Sequence, residues 1–308
     1  MAILLIGNGL NQLTKCAPNW VKLLGKAAWD QGISDVSSLS MSMGYEKLEA
    51  RASGKSSLEI KRGIADDLRR QTEEKLPLPA KSILREFLSL PVTEILTTNY
   101  DYVLEMTLEP SFVPARTTHE RLYSRERTRH AGDKLVTHIH GECRYPESIC
   151  LGFEHYAGTL EKTRSLLTCS TSVKDKSDPH RFALYDYLNQ LGNDQAYKSW
   201  LFRFFSEDIY IVGFGLDMSE IDIWWLLSYR AKLIREGKVP VANHIVYYET
   251  DSDVKNKHRL KDIKEKQELL EAFNTEVKSI MGRGYLDKYK QILKDIQCRL
   301  DHQANRTD

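Results

Sequence analysis

Short apolar runs that break at glycine, asparagine or an acid recur along the chain. Ala2–Ile6, Thr93–Thr97, Leu135–Ile139, Ile209–Val212 and His244–Tyr248 each have strand length and β-branched content, and Glu276–Ile280 is a weaker sixth. Most are followed by apolar residues at helical spacing. Strands alternating with helices predict a parallel sheet covered on both faces, an α/β architecture. Two stretches between strands are long and helical in pattern. In residues 30–90, Glu59–Lys75 reads as a charged amphipathic helix; residues 145–206 contain helical patterns at Phe182–Leu191 and Tyr197–Phe205. Both are expected to form a helical cap over one edge of the sheet, with a separately folded domain as the alternative. The segment Ser170–Pro179, rich in Ser, Lys and Asp, reads as a mobile loop. Toward the end, Tyr285, Leu286, Tyr289, Ile292, Leu293, Ile296 and Leu300 form one apolar stripe and predict a helix packed on the core.

Composition narrows this picture without redirecting it. At 308 residues and 41% hydrophobic, the chain can bury a large core. One elaborated domain over residues 1–308 is expected, its core near 1–29, 91–144 and 207–300 and its helical insertions near 30–90 and 145–206. A net charge of +1 gives no case for nucleic acid or a membrane surface as partner. The five cysteines have no C-x-x-C spacing, which reads as reduced thiols and offers no zinc module. Ala2–Ile6 is too short for a signal peptide, and no run approaches the roughly 18 apolar residues of a membrane span. A cytoplasmic protein is expected. Arg116, Arg121, Arg125, Arg127 and Arg129 make a locally basic stretch, interrupted by Glu120 and Glu126 and read as a solvated loop.

The chemistry-bearing residues sit where these strands stop. Gly7-Asn8-Gly9-Leu10-Asn11 follows the first strand. A glycine loop there lets backbone N–H groups approach a pyrophosphate, and Asn11 can cap a helix or donate to phosphate. A tight turn without ligand explains the same residues, and Gln12 stands where a dinucleotide fingerprint has its third glycine. Thr97-Thr98-Asn99-Tyr100-Asp101 ends the second strand; the Asn99 amide suits a carboxamide, or Asn99 or Asp101 caps the next helix. His138-Ile139-His140-Gly141 ends the third. Strand alternation puts both imidazoles on one face, with His140 placed as a base or proton shuttle, or as a structural residue. A metal pair finds no third ligand at convincing spacing. Gly213-Phe214-Gly215-Leu216-Asp217 follows the fourth strand, with Ser219 and Asp222 read as a capping box. Glu249, ending the fifth, can take ribose hydroxyls or simply face solvent.

Taken in order, these motifs resemble the sirtuins, and more closely the bacterial sirtuin-like NAD hydrolases of the defence-associated branch. Gly7 to Asn11 is similar to the G-A-G-x-S loop, altered at its second and fifth positions. Thr97 to Asp101 looks like T-Q-N-I-D in the T-T-N-Y-D form, His140-Gly141 matches the catalytic H-G, and Gly213 to Asp217 resembles the G-F-G-L form of the G-T-S loop. The resemblance implies a Rossmann-like fold with NAD across the strand ends and Asn99 and His140 catalytic. Gly7, Asn8, Gly9, Asn11, Thr98, Asp101, Gly213, Gly215, Asp217 and Glu249 would bind NAD. It implies NAD as substrate without a metal, cleaved to nicotinamide and ADP-ribose. Control by a co-encoded regulatory or sensor protein, or by a homo-oligomer, is expected, as in phage defence. The four-cysteine zinc module of deacylases is absent from the interval between H-G and the later glycine loop, which favours hydrolysis. The rivals are an NAD or ADP-ribose sensor without activity, a zinc-free deacylase and an ADP-ribosyltransferase.

Overall fold

The computed structural model describes residues 2–13, 18–33, 40–73, 76, 82–92, 94–115, 127–168, 184, 188, 199–237, 239–251 and 254–307. Thr93, the segment Ser170–Pro179, residues 116–126 and most of Phe182–Leu191, all read from the sequence above, lie outside them. The chain opens with β1 (Ala2–Ile6) and α1 (Asn8–Leu13), then α2 (Trp20–Trp29), α3 (Met41–Arg51), α4 (Ser57–Glu73) and α5 (Ile83–Leu88). Next come β2 (Glu94–Thr97), α6 (Val103–Leu108), β3 (Thr128–Ala131), β4 (Lys134–His138) and α7 (Phe153–Thr168). The last part is α8 (Trp200–Arg203), β5 (Asp208–Val212), α9 (Ile221–Glu236), β6 (Ile245–Glu249), α10 (Lys257–Ala272), β7 (Glu276–Ser279) and α11 (Tyr285–Thr307).

Among the described residues seven strands form one sheet in the order β3-β4-β2-β1-β5-β6-β7. Every neighbouring pair is parallel except β3 with β4. Without β3, the chain winds outward from β1 through β2 to β4, returns beside β1 as β5, and continues to β6 and β7. This is the doubly wound Rossmann-like order, and its direction reverses between β1 and β5. The hydrophobic pattern does not single out β3, because Thr128-Arg129-His130-Ala131 is short and polar. It forms as an antiparallel edge, turned into β4 at Gly132, whose φ is +58°.

Helices cover both faces, and the pleat of β1 divides the core accordingly. Ile3 and Leu5 pack with Ile209, Ile211, α8 and α9. Leu4 and Ile6 pack with α5, α6 and α11 on the other face. All five β1 residues are buried, as a central parallel strand requires. A third apolar cluster joins α2, α3 and α4 to Tyr100, Tyr102, Cys143 and Leu151, beyond the ends of β2 and β4. The stripe of α11 is core from Tyr289 onward; Tyr285 and Leu286 are about half exposed, at 49% and 50%. The two arginines read as part of a solvated loop, Arg127 and Arg129, are instead buried against β4. Arg127 Nε donates to His138 O, and Arg129 pairs with Glu142.

Candidate active site

The reversal of strand order leaves a crevice between the loops that follow β1 and β5. The two strands end in register, Ile6 opposite Val212. Gly7 N–H donates to Val212 O at 3.0 Å and Gly9 N–H to Gly213 O at 2.8 Å, so the loops lie against each other. A Cβ on Gly7 would stand 2.5 Å from Phe214 Cα. Gly213 has φ +62°, and its Cβ would meet Leu10 N at 2.7 Å. Packing of loop on loop thus already requires these glycines. Gly7→Ala is expected to cost about 1–3 kcal/mol by forcing the loops apart. Gly215→Ala, whose added Cβ meets nothing within 4 Å, is the matched control in a urea melt.

A cleft of about 780 Å³ opens over these loops, within the roughly 300–1,000 Å³ usual for ligand sites. Asn8, Gly9, Thr98, Gly213, Gly215, Asp217 and Glu249 line it, with Glu220, Tyr247 and Lys266. Glu249 is 4% exposed, not solvated: Lys266 Nζ stands 2.9 Å away and Asp251 N–H donates to it at 2.9 Å. Gly7, Asn11 and Asp101 are buried and are not among the lining residues. Asn11 Nδ2 donates to Asp101 Oδ1 at 3.2 Å, and the same oxygen accepts Val103 N–H at 3.0 Å at the start of α6. Burial pushes the Asp101 carboxyl up to about 6, against the Val103 N–H. The expected capping box is not formed. Asp217 Oδ1 takes Ser219 N–H and its hydroxyl, and Asp222 faces His140 instead.

Asn99 and His140 are not among the residues that line this cleft; Asn99 directly follows Thr98, which does, and His140 meets Glu220, which also does. Thr97 pairs with His138 at the strand ends, and beyond them Ile139 N–H donates to Thr97 O at 2.8 Å and Cys143 N–H to Tyr100 O at 2.7 Å. The two chains therefore run side by side through residues 99 and 140. Both residues are 1% exposed. Neither the amide nitrogen nor the amide oxygen of Asn99 has a hydrogen-bond partner among the described residues. His140 Nε2 is 3.2 Å from each Asp222 carboxylate oxygen, its Nδ1 is 3.3 Å from Glu220 Oε2, and the Tyr156 ring meets it edge-on at 5.2 Å. Burial, reinforced by Asp222 and opposed by His140, pushes the Glu220 carboxyl up to about 7. Gly141 follows at φ +108°, where a Cβ would collide with Ser148 O. The histidine–glycine pair is thus a backbone requirement as well as a chemical motif.

The alternation expected of His138 and His140 stops with β4. His138 meets α6: its Nε2 is 2.6 Å from Glu105 Oε1, and its Nδ1 is 2.8 Å from Asn99 O. His138 therefore holds the backbone of Asn99 while His140 meets α9. Beside them, Arg129 donates to both oxygens of Glu142, at 2.8 and 2.5 Å.

Glycine loops at a strand-order switch, an asparagine after β2 and a histidine–glycine after β4 thus all follow the carboxyl ends of parallel strands. The SIR2-like domain family matches residues 93–277, more than half of the 308. The chain belongs to this family. No curated protein matches it. SIR2-like domains are in general NAD-dependent enzymes. The SIR2-like match includes Asn99, His140 and the second glycine loop; the first loop, after β1, precedes it.

Glu220 and Asp222 are the residues that sequence reasoning missed as chemistry. Their spacing, Glu-x-Asp directly after a glycine loop, was the available signal, but it also fits a helix start. With His140 they bring donor atoms within 4.8 Å of one another, a grouping able to hold a cation. No helix among the described residues is long and apolar enough to cross a membrane.

Proposed function

We propose that this SIR2-like chain is an NAD hydrolase that cleaves the nicotinamide–ribose bond. The observation that carries the reading is Asn99: an amide 1% exposed, neither polar atom of which has a hydrogen-bond partner among the described residues, on a backbone that runs alongside the His140 segment and directly after Thr98, which lines a nucleotide-sized cleft. Each buried amide group without a partner costs about 1–3 kcal/mol, and a ligand carboxamide or an ordered water would offset that cost. In the reaction, water oxygen bonds to the ribose C1′ as the C1′–N bond breaks. The bond's electron pair returns to the pyridinium ring, and nicotinamide leaves neutral. Positive charge gathers on the ribose, as in glycoside hydrolysis. The attacking water gives up one proton.

In this reading Asn99 orients the nicotinamide carboxamide or the water. His140 contacts the ribose hydroxyls and acts as base. Gly7, Asn8, Gly9, Asn11, Gly213, Gly215 and Asp217 form the phosphate and adenosine side, with Thr98 and Asp101 near the nicotinamide ribose. Glu249 takes the hydroxyls of the adenosine ribose, and in that role it disfavours a 2′-phosphate. Glu249→Gln is expected to raise KM for NAD by about 10-fold, a charged hydrogen bond lost, with kcat little changed. Steady-state kinetics with NAD checks this, and an unchanged KM would remove Glu249 from the site.

Unrestrained NAD hydrolysis would drain a cell. We place control in a co-encoded partner or in self-assembly, in keeping with a role as an NAD-depleting effector of anti-phage defence. The reading is tested by following nicotinamide and ADP-ribose chromatographically across protein concentration, with and without neighbouring gene products. Tight NAD binding without nicotinamide release under every condition would favour a sensor. Release that requires an acyl-lysine peptide would favour a deacylase.

A further inference from the structure

Carboxylates stand at both ring nitrogens of His140, and the two are not equivalent. Asp222 is wholly buried and meets Nε2 with both oxygens at 3.2 Å. Glu220 lines the cleft, and its side chain is 15% exposed. Its Oε2 lies 3.3 Å from Nδ1, yet this buried oxygen accepts no hydrogen bond among the described residues. A carboxylate oxygen out of water and without a donor is costly to keep. The neighbouring acid Asp217 is not in that position, since its Oδ1 accepts from Ser219. An acceptor without a donor among the described residues thus stands beside the imidazole, on a residue that lines the cleft. The Oε2–Nδ1 separation lets one hydroxyl oxygen within hydrogen-bond reach of Oε2 also reach Nδ1.

We propose that Glu220 is a third residue of the reacting centre, its Oε2 accepting a hydrogen bond from a hydroxyl of the nicotinamide ribose, while Asp222 positions His140 from the other nitrogen. This rests on the NAD hydrolase reading and names the group that reads its sugar. As the C1′–N bond breaks, positive charge moves from the pyridinium onto the ribose, toward the carboxylate. The contact then strengthens in the transition state and raises kcat as well as affinity. Glutamine at 220 keeps size and an acceptor and loses the charge. Asparagine at 222 leaves the fold's volume intact and loosens the imidazole.

The experiment compares NAD with its 2′-deoxy and 3′-deoxy analogues in the nicotinamide ribose, using the full chain and Glu220→Gln. The wild type is expected to lose about 10- to 100-fold in kcat/KM with one of the analogues. Glu220→Gln should lose a similar factor with NAD and then distinguish NAD from that analogue by less than about 3-fold, because the contact is already gone. Asp222→Asn should lower kcat with KM nearly unchanged, and Asp222→Glu should restore part of kcat, a split that mere loss of folding does not produce. Undiminished discrimination by Glu220→Gln, or wild-type turnover in that variant, overturns the proposal. Loss of wild-type turnover on addition of EDTA would assign the carboxylates to a cation and overturn it as well. A wild type that releases no nicotinamide under any condition refutes the hydrolase reading itself, a result separate from these.

Discussion

His140→Ala and Asn99→Ala should each lower kcat for nicotinamide release by about 100- to 10,000-fold, the range for losing a positioned acid–base or orienting group. The effect is expected in kcat more than KM, because neither side chain is among those that line the cleft. The two variants should part company in stability. His140 makes buried contacts with Asp222, Glu220 and Tyr156, and its removal leaves two carboxylates facing an empty space. The Asn99 side chain has no hydrogen-bond partner among the described residues, and alanine there removes two buried polar groups. Asn99→Ala is therefore expected to melt at or above the wild-type temperature while losing activity, the trade expected of a side chain kept for a ligand. Thermal melts and nicotinamide assays on the same preparations check this. An Asn99→Ala protein that is both active and destabilised would mean that the residue is structural.

The largest effect on stability is expected from the ion pair beneath the centre. His138 and Glu105 are both fully buried, 2.6 Å apart. Removing one partner strands the other's charge, so His138→Ala or Glu105→Ala should cost about 3–5 kcal/mol. Burial opposes the charge on His138, but Glu105 outweighs it and lifts the imidazole from 6.5 to about 9. A raised folded-state value means that the pair's contribution is fully present below 6.5 and is lost as pH rises through about 9. Urea denaturation at several pH values should therefore show stability falling across that window, and the His138 component of the slope should vanish in Glu105→Gln. Because His138 also holds Asn99 O, activity should fall in parallel.

The central parallel strands were legible because each is a buried run rich in apolar residues that breaks at a glycine or a polar turn, whereas β7, Glu276–Ser279, is polar and not buried and left a weaker signal. A central strand buried on both faces leaves that signature and little else does. The hairpin strand β3 was not legible. Its arginine is buried with Glu142, thirteen residues on, as its ion-pair partner, and no local pattern carries that information. The same limit applies at the site. Asn8, Gly9, Thr98, Gly213, Gly215, Asp217 and Glu249 come from four strand ends and meet at one cleft, as strand-end reasoning expects. Asp222 read as a helix cap because its spacing from Ser219 fits one, and only the approach of His140, 82 residues earlier, turns it to another use. Likewise, alternation assigned His138 and His140 to one face, whereas the strand ends between them and each ring finds a carboxylate on a different helix.

The most direct test is incubation of the purified protein with NAD in ¹⁸O-enriched water, alone at rising concentration and with neighbouring gene products, read by mass spectrometry. Hydrolysis yields free nicotinamide and an equal amount of ADP-ribose carrying one heavy oxygen at the anomeric carbon, with both formed at least about 100-fold more slowly by His140→Ala. Intact NAD in every arm, or nicotinamide released while ADP-ribose ends on protein instead of water, would contradict it.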